Sequence, residues 1–173
     1  MANDVKLLLC SVSCLLLFSC ALKRGSISNP VVTLTAECPK AAECSLLVTK
    51  NKSLNVKKDE WGNVYYVLED NSGKNVIKYT YSAIVKGNLQ DAGYREEIVF
   101  EYDASLRSLS GVDLQNIKML FGRFCFCRGQ TGYYPVTKGE LLITSGTKEK
   151  TATLNFIIDE VPQIIKNITF SIK

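Results

Sequence analysis

From Val31 onward, apolar side chains recur at every second position, which is typical of β-strands with one buried face. In the segment Tyr94–Asp103, the residues Ile98, Phe100 and Tyr102 fall on one face. Successive side chains of a strand point to opposite sides, so such alternation predicts strand rather than helix. The same alternation occurs in three other segments: Asn75–Lys86, Thr151–Ile158 and Ile164–Ile172.

Turn residues separate these segments. Asp70–Gly73 and Ser145–Lys148 each stand between two strand patterns, as the turns of hairpins do. Shorter strand candidates are Val31–Ala36, Ser45–Thr49, Leu54–Lys57, Val64–Leu68, Gly132–Thr137 and Glu140–Thr144. About nine short strands with regular turns predict an all-β fold, an antiparallel β-sandwich or barrel, over residues 31–173 as a single domain.

At most one short helix is expected. In Val112–Gly122, Asp113 is a candidate N-cap, and apolar residues at helical spacing follow it. These residues are Leu114, Ile117, Leu120 and Phe121.

Composition excludes several kinds of chemistry. The 173 residues include no histidine, which removes Ser-His-Asp and Cys-His catalysis and His-ligated zinc. The formal net charge of +4 is too small to indicate a nucleic-acid partner. We expect no metal and no cofactor.

The first twenty residues form a leader. Lys6 supplies a positive charge, and Leu7–Phe18 is an apolar run of signal-peptide length, too short to span a bilayer. The run ends Leu17-Phe18-Ser19-Cys20, which resembles the lipobox cleaved by signal peptidase II in bacterial lipoproteins. The resemblance implies a signal peptide over 1–19 and a lipidated Cys20. The alternative is an ordinary signal peptide cleaved elsewhere, which leaves Cys20 as a thiol.

Residues 20–30 predict a lipidated cysteine followed by a flexible tether. Lys23 and Arg24 lie beside the lipid, where anionic headgroups attract them. The resemblance implies attachment to the outer membrane, since no aspartate follows Cys20 directly. The lack of an early acidic cluster favours the periplasmic face.

Four further cysteines remain in the domain: Cys38, Cys44, Cys125 and Cys127. An even number in an oxidising compartment predicts disulfides. Two cross-links between the first pair and the second are favoured, because residues two apart on a strand stand too far apart for a relaxed bond. A local Cys38–Cys44 bond is the alternative. A zinc site or a redox-active Cys-Phe-Cys is less favoured.

The least generic stretch of the chain is Phe124–Tyr134. This run, FCFCRGQTGYY, is similar to one found in uncharacterised lipoproteins of Bacteroidota. Four of its residues form a candidate ligand or partner loop: Arg128, Gln130, Tyr133 and Tyr134. We expect Phe124 and Phe126 to face the core. The acidic side chains of the preceding strand, Glu97, Glu101 and Asp103, predict a solvated outer face.

Two functions follow as hypotheses. The first is a lipid-anchored envelope lipoprotein whose β domain is not an enzyme and binds an envelope protein or small ligand, or has a structural role. The alternative is a histidine-free envelope enzyme or a thiol-redox protein using Cys125 and Cys127. Facing carboxylates in a cavity, or an accessible Cys125, favour the alternative.

Overall fold

Two antiparallel five-stranded sheets pack face to face in the computed structural model, which describes residues 32–35, 37–85, 87 and 92–173. The predicted all-β fold is therefore confirmed, and of the two predicted architectures the structure has the sandwich. The signal peptide 1–19, the lipidated Cys20 and the tether 20–30 lie outside the described residues.

The bounds of β4, β8 and β9 match the predicted segments within one or two residues, whereas β2 and β3 each join two segments that were predicted as separate strands. The first sheet has the order β1-β10-β9-β8-β5 and consists of β1 (Val32–Leu34), β10 (Asn167–Ile172), β9 (Lys150–Phe156), β8 (Gly139–Ser145) and β5 (Leu109–Ser110). The second has the order β2-β3-β4-β6-β7 and consists of β2 (Ala42–Lys58), β3 (Val64–Ala83), β4 (Tyr94–Tyr102), β6 (Leu120–Cys125) and β7 (Gly132–Pro135).

The main core lies between the sheets. Phe100 packs on Phe170 with ring centroids 6.0 Å apart, and Phe121 packs on Phe156 at 5.9 Å. Ile98, Phe100 and Tyr102 all face this core, as their alternation predicts. Each fully buried large apolar side chain contributes roughly 1.5–3 kcal/mol, so this interface supplies most of the stabilising burial.

Strands β2 and β3 form one long hairpin, and the turn predicted at Asp70–Gly73 is wrong. Strand β3 continues through these residues, while its register with β2 shifts between Lys50 and Lys52. Asn51, with φ 54°, stands opposite a bulge in which Asn71 Oδ1 accepts a hydrogen bond from Gly73 N–H. The turn-forming residues therefore produce a bulge, which bends a continuous strand.

Beyond the bulge, the hairpin covers the outer face of its own sheet. Val64 of β3 pairs with Tyr133 of β7, so β3 is hydrogen-bonded to β4 along one half and to β7 at the other end. The covered residues form a second core, which consists of Leu54, Val76, Val99 and Leu120, with Val64, Tyr66 and Tyr133 packed against it.

The helix is shorter than expected and begins earlier. A 3₁₀ helix spans Gly111–Ile117 and ends at Lys118, whose φ is 52°. Asp113 lies in its first turn, and the N-cap is Ser110, which makes no side-chain capping bond. Leu120 and Phe121 belong to β6 instead, because sheet pairing buries them completely on opposite faces.

Across the described ranges, we find no helix with the length and apolarity needed to cross a bilayer.

Candidate functional site

Cys125 and Cys127 form a disulfide at the end of β6, with Cα atoms 5.2 Å apart. The expectation that two residues so spaced stand too far apart for a relaxed bond assumes a continuous strand. Strand β6 ends at Cys125 and the chain bends at Phe126, which brings the two Cα atoms closer than a strand allows. The bend also turns Phe126 outward, where it is 83% exposed, so its predicted place in the core is wrong.

Cys38 and Cys44 form a separate disulfide, so the favoured cross-links are absent from the structure. Cys44 lies on β2, and β3 and β4 separate β2 from β6. With strands about 4.8 Å apart, Cys44 and Cys125 are separated by roughly 14 Å. A disulfide needs Cα atoms within about 7 Å, so the local pairing is the one that the sheet order permits.

A surface groove of about 510 Å³ runs beside the Cys125–Cys127 bond. Its walls come from the ends of β3, β4 and β6 and are formed by Ser82, Ala83, Gly93, Tyr94, Arg95, Phe124, Cys125 and Phe126. Phe124 lies on the outer face of the sheet, not in the main core as expected, and the guanidinium of Arg95 stacks over its ring at 4.5 Å. The groove thus joins aromatic surface, one cation and a disulfide. We call it the disulfide groove.

Arg123 holds the loop that follows the disulfide. Its side chain is buried, and its Nη1 donates to the backbone oxygen of Gln130 at 3.0 Å and to the side-chain Oε1 at 3.1 Å. The Gln130 side-chain oxygen is therefore used inside the loop. Arg128 is exposed at the loop surface.

A buried carboxylate connects this region to the other sheet. Glu96, 1% exposed, accepts hydrogen bonds from the backbone N–H groups of Ile164 and Ile165 at 2.6 and 2.7 Å. It also accepts one from the Tyr94 hydroxyl at 2.5 Å, and Arg123 Nε donates to that hydroxyl. Burial, and then the hydrogen bond to Glu96, raise the pKa of Tyr94 to about 12. Tyr94 therefore stays protonated and links Arg123 to Glu96.

Tyr133 and Tyr134 point to opposite faces of β7. The Tyr133 hydroxyl donates to Glu97 at 2.7 Å beside the second core, and burial followed by that hydrogen bond raises its pKa. Tyr134 packs against the main core. The four residues of the predicted ligand loop are therefore not gathered on one surface, and ligand binding there stays a prediction.

Glu101 anchors the hairpin to the sheet below it. Its Oε1 accepts from Leu54 N–H at 2.6 Å and from Lys118 Nζ at 2.8 Å, and its Oε2 accepts from Lys74 Nζ at 2.5 Å. Burial opposes the charged form of this carboxyl, but the hydrogen bonds from Lys118 and Lys74 outweigh it and hold the pKa below its ordinary value. Glu101 is thus a charged structural group.

The predicted solvated face of β4 is wrong at two of its three acidic positions. Glu97 is 5% exposed and Glu101 is 1% exposed, because the bent hairpin covers them. Asp103, beyond the strand end, is partly exposed and is bonded by Ser105. Alternation marks the two faces of a strand, but it does not reveal that a second layer covers the polar one.

A cleft lies at the open end of the sandwich, and nothing in the sequence pattern indicates it. It measures about 470 Å³ and is lined in part by Tyr102, Leu106, Lys150 and Ile172. Tyr102 is 5% exposed, and its hydroxyl has no hydrogen-bond partner among the described residues. Its alternation with Phe100 indicated a core side chain, and nothing in the sequence indicated an unpaired hydroxyl.

The described residues contain no group of three or more His, Cys, Asp or Glu side chains placed to hold a metal ion. The three buried carboxylates among the described residues, those of Glu96, Glu97 and Glu101, are already bonded to backbone, tyrosine or lysine groups. Chemically, the arrangement offers an accessible disulfide, a groove and an aromatic surface. No family model, curated protein or solved structure matches this chain.

Proposed function

We propose that this chain is a lipid-anchored bacterial envelope lipoprotein, attached through Cys20, whose β-sandwich is a non-catalytic binding or structural module. The observation that carries the proposal is the apolar run Leu7–Phe18 that ends in Leu17-Phe18-Ser19-Cys20. Each buried methylene of an acyl chain contributes about 0.8 kcal/mol, so two or three chains give effectively permanent attachment. The outer membrane, at its periplasmic face, is the proposed location.

The use of the buried carboxylates supports a non-catalytic module. A general acid or base needs a position open toward the substrate. Glu96 bonds two backbone amides, Glu97 bonds Tyr133, and Glu101 bonds Leu54 and two lysines. These groups fix the second core and the contact between the sheets. The proposed partners are membrane lipid and an envelope protein or small ligand.

Lipidation is tested on the full chain expressed in a Gram-negative host. We expect palmitate labelling, partition into detergent, and an intact mass for a chain that begins at Cys20 and carries acyl groups. Cys20→Ser abolishes the labelling. Cys14→Ser is the matched control within the same leader and keeps it.

An intact mass that shows an unmodified Cys20, or palmitate labelling that survives Cys20→Ser, contradicts the proposal. Location is tested separately by density-gradient separation of inner and outer membranes. Protease added to whole cells and to permeabilised cells then distinguishes the two faces, and cleavage in permeabilised cells alone is the expected result.

A further inference from the structure

The Cys125–Cys127 bond contributes little as a structural cross-link. In the chain-entropy model, a disulfide stabilises a fold by the length of chain that it encloses. This one encloses a single residue, Phe126, and joins no second strand or loop. The Cys38–Cys44 bond encloses five residues, and Cys44 packs against the main core, where its sulfur accepts the Tyr79 hydroxyl at 3.1 Å. The Cys38–Cys44 bond is therefore held by a longer enclosed loop and by packing against the main core, whereas the Cys125–Cys127 bond has neither.

The surroundings of Cys125–Cys127 suit attack by an incoming thiol. Both cysteines are partly exposed, and the side chain between them is almost fully exposed. The disulfide groove provides an approach of about 510 Å³ along Cys125. Thr131 Oγ1 donates to the Cys125 carbonyl oxygen at 2.8 Å, which fixes the backbone beside the groove.

The charge around the disulfide is positive. Arg95 forms one wall of the groove, and Arg128 is exposed one residue after Cys127. Buried Arg123 precedes Cys125 by two residues on the same face of β6. Positive charge stabilises thiolates and attracts anionic reactants. Glu97 forms an ion pair with Arg95 at 3.1 Å, and Glu96 accepts the amides of Ile164 and Ile165. Exposed Arg128 is therefore the cation beside the disulfide that has no carboxylate partner among the described residues.

We propose that Cys125–Cys127 is a thiol–disulfide exchange site for an anionic dithiol, a pair of reduced cysteines within an acidic peptide segment that lies in the disulfide groove. Each protein disulfide reacts with one partner, so the exchange is stoichiometric and not catalytic. This activity goes beyond the proposed function, and it does not depend on lipidation.

The exchange proceeds in two balanced steps. The partner thiolate attacks the Cys125 sulfur, which lines the groove, and the electron pair of the broken S–S bond passes to Cys127, which takes a proton from water. A second thiolate of the partner then attacks the partner sulfur of the mixed disulfide and releases Cys125, which is also protonated. The partner dithiol is oxidised to a disulfide and the protein disulfide is reduced, with two electrons transferred.

The test uses the detergent-solubilised full chain and small thiols of different charge. Glutathione, a thiol peptide with net negative charge, is compared with cysteamine, which is cationic. Alkylation and peptide mapping follow each disulfide over time. We expect Cys125–Cys127 to be reduced about tenfold or more faster than Cys38–Cys44. Rates are expressed per thiolate, and glutathione is expected to exceed cysteamine about threefold or more at low salt.

Arg128→Glu is expected to reverse the preference between the two thiols, and Arg128→Gln to abolish it. Arg107→Glu, an exposed arginine in another loop, is the matched control and leaves the preference unchanged. Added NaCl is expected to reduce the preference in the wild type. Cys127→Ser is expected to retain glutathione on Cys125 as a stable mixed disulfide after treatment with oxidised glutathione.

Several outcomes overturn the proposal. One is equal reduction rates for the two disulfides, or earlier reduction of Cys38–Cys44. Another is a preference between glutathione and cysteamine that Arg128→Glu and Arg128→Gln leave unchanged. Loss of Cys125–Cys127 exchange together with an intact lipid anchor rejects this inference alone, and loss of palmitate labelling rejects the proposed function alone.

Discussion

The side-chain Oε1 of Glu101 on β4 accepts the backbone N–H of Leu54 on β2 at 2.6 Å. The two residues are 47 positions apart, and the bond fixes the bent half of the hairpin over the sheet. Lys118 connects the same two residues, since its Nζ donates both to Glu101 and to the Leu54 carbonyl oxygen. The contact thus ties three segments together at the second core.

Glu101→Gln is expected to lower the free energy of unfolding by about 2–3 kcal/mol. The amide keeps the shape of the carboxylate, but it leaves the ammonium groups of Lys74 and Lys118 facing a neutral group. Urea denaturation measures the change. Glu60→Gln, at an exposed position of the hairpin tip, is the control and is expected to change stability by less than about 0.5 kcal/mol. Equal effects of the two substitutions contradict the assignment.

Acid is expected to remove the contribution of Glu101. Its pKa in the folded protein lies below the ordinary glutamate value of 4.5, so the contribution is complete above that value and is lost as the pH falls through the lowered folded pKa. The difference in unfolding free energy between the wild type and Glu101→Gln should therefore be large at neutral pH and shrink on acidification below about pH 4. A difference that is constant with pH contradicts the charged structural role.

Glu96→Gln is expected to increase local opening of the segment that precedes β10. The substitution weakens the bonds from the N–H groups of Ile164 and Ile165 and replaces an acceptor of the Tyr94 hydroxyl. We expect a loss of about 2–3 kcal/mol in global stability and faster amide exchange at both isoleucines. Unchanged exchange at Ile164 and Ile165 is the contradicting result.

Tyr102→Phe is expected to raise stability by about 1 kcal/mol. The Tyr102 hydroxyl is buried without a partner among the described residues, and an unsatisfied buried polar group costs about 1–3 kcal/mol. The phenylalanine ring keeps the packing against the main core. Tyr65→Phe, on an exposed position of β3, is the control and should have little effect. Thermal denaturation in which Tyr102→Phe melts below the wild type contradicts the prediction.

Gly139→Ala is expected to cost more than about 2 kcal/mol. The φ of Gly139 is 150°, and a Cβ atom there would lie 2.3 Å from the backbone oxygen of Asn155. Gly93→Ala is the matched control, because a Cβ at Gly93 has no neighbour within 4 Å. Similar urea midpoints for the two variants contradict the reasoning.

Period-2 alternation predicts an all-β sandwich or barrel, because burial of one strand face places an apolar residue at every second position, but it does not distinguish these two architectures. Ile98 and Phe100 were placed correctly for that reason. The hairpin turn at Asp70–Gly73 was not, since the same turn-forming residues also suit a bulge when the chain continues as a strand.

The candidate site was less predictable than the fold. The sequence identified Cys125 and Cys127, but their pairing depends on where β6 ends, and Phe126 carries no signal of that end. The roles of Glu97 and Glu101 depend on the bend of β2 and β3 over β4. The bend depends on contacts between residues that are far apart in the chain, and the local spacing of apolar and polar residues does not encode such contacts.

Strand β3 runs without interruption from Val64 to Ala83, but only its half after the bulge reaches the main core, through Ile77, Tyr79 and Tyr81. The half before the bulge packs through Val64 and Tyr66 against the second core alone. Because protection against solvent deuterium follows the local free energy of opening, amides on the two sides of Asn71 should exchange as two separate groups. We expect the part of the hairpin before the bulge to open while the sandwich remains folded, which would make two units of cooperativity along a single strand.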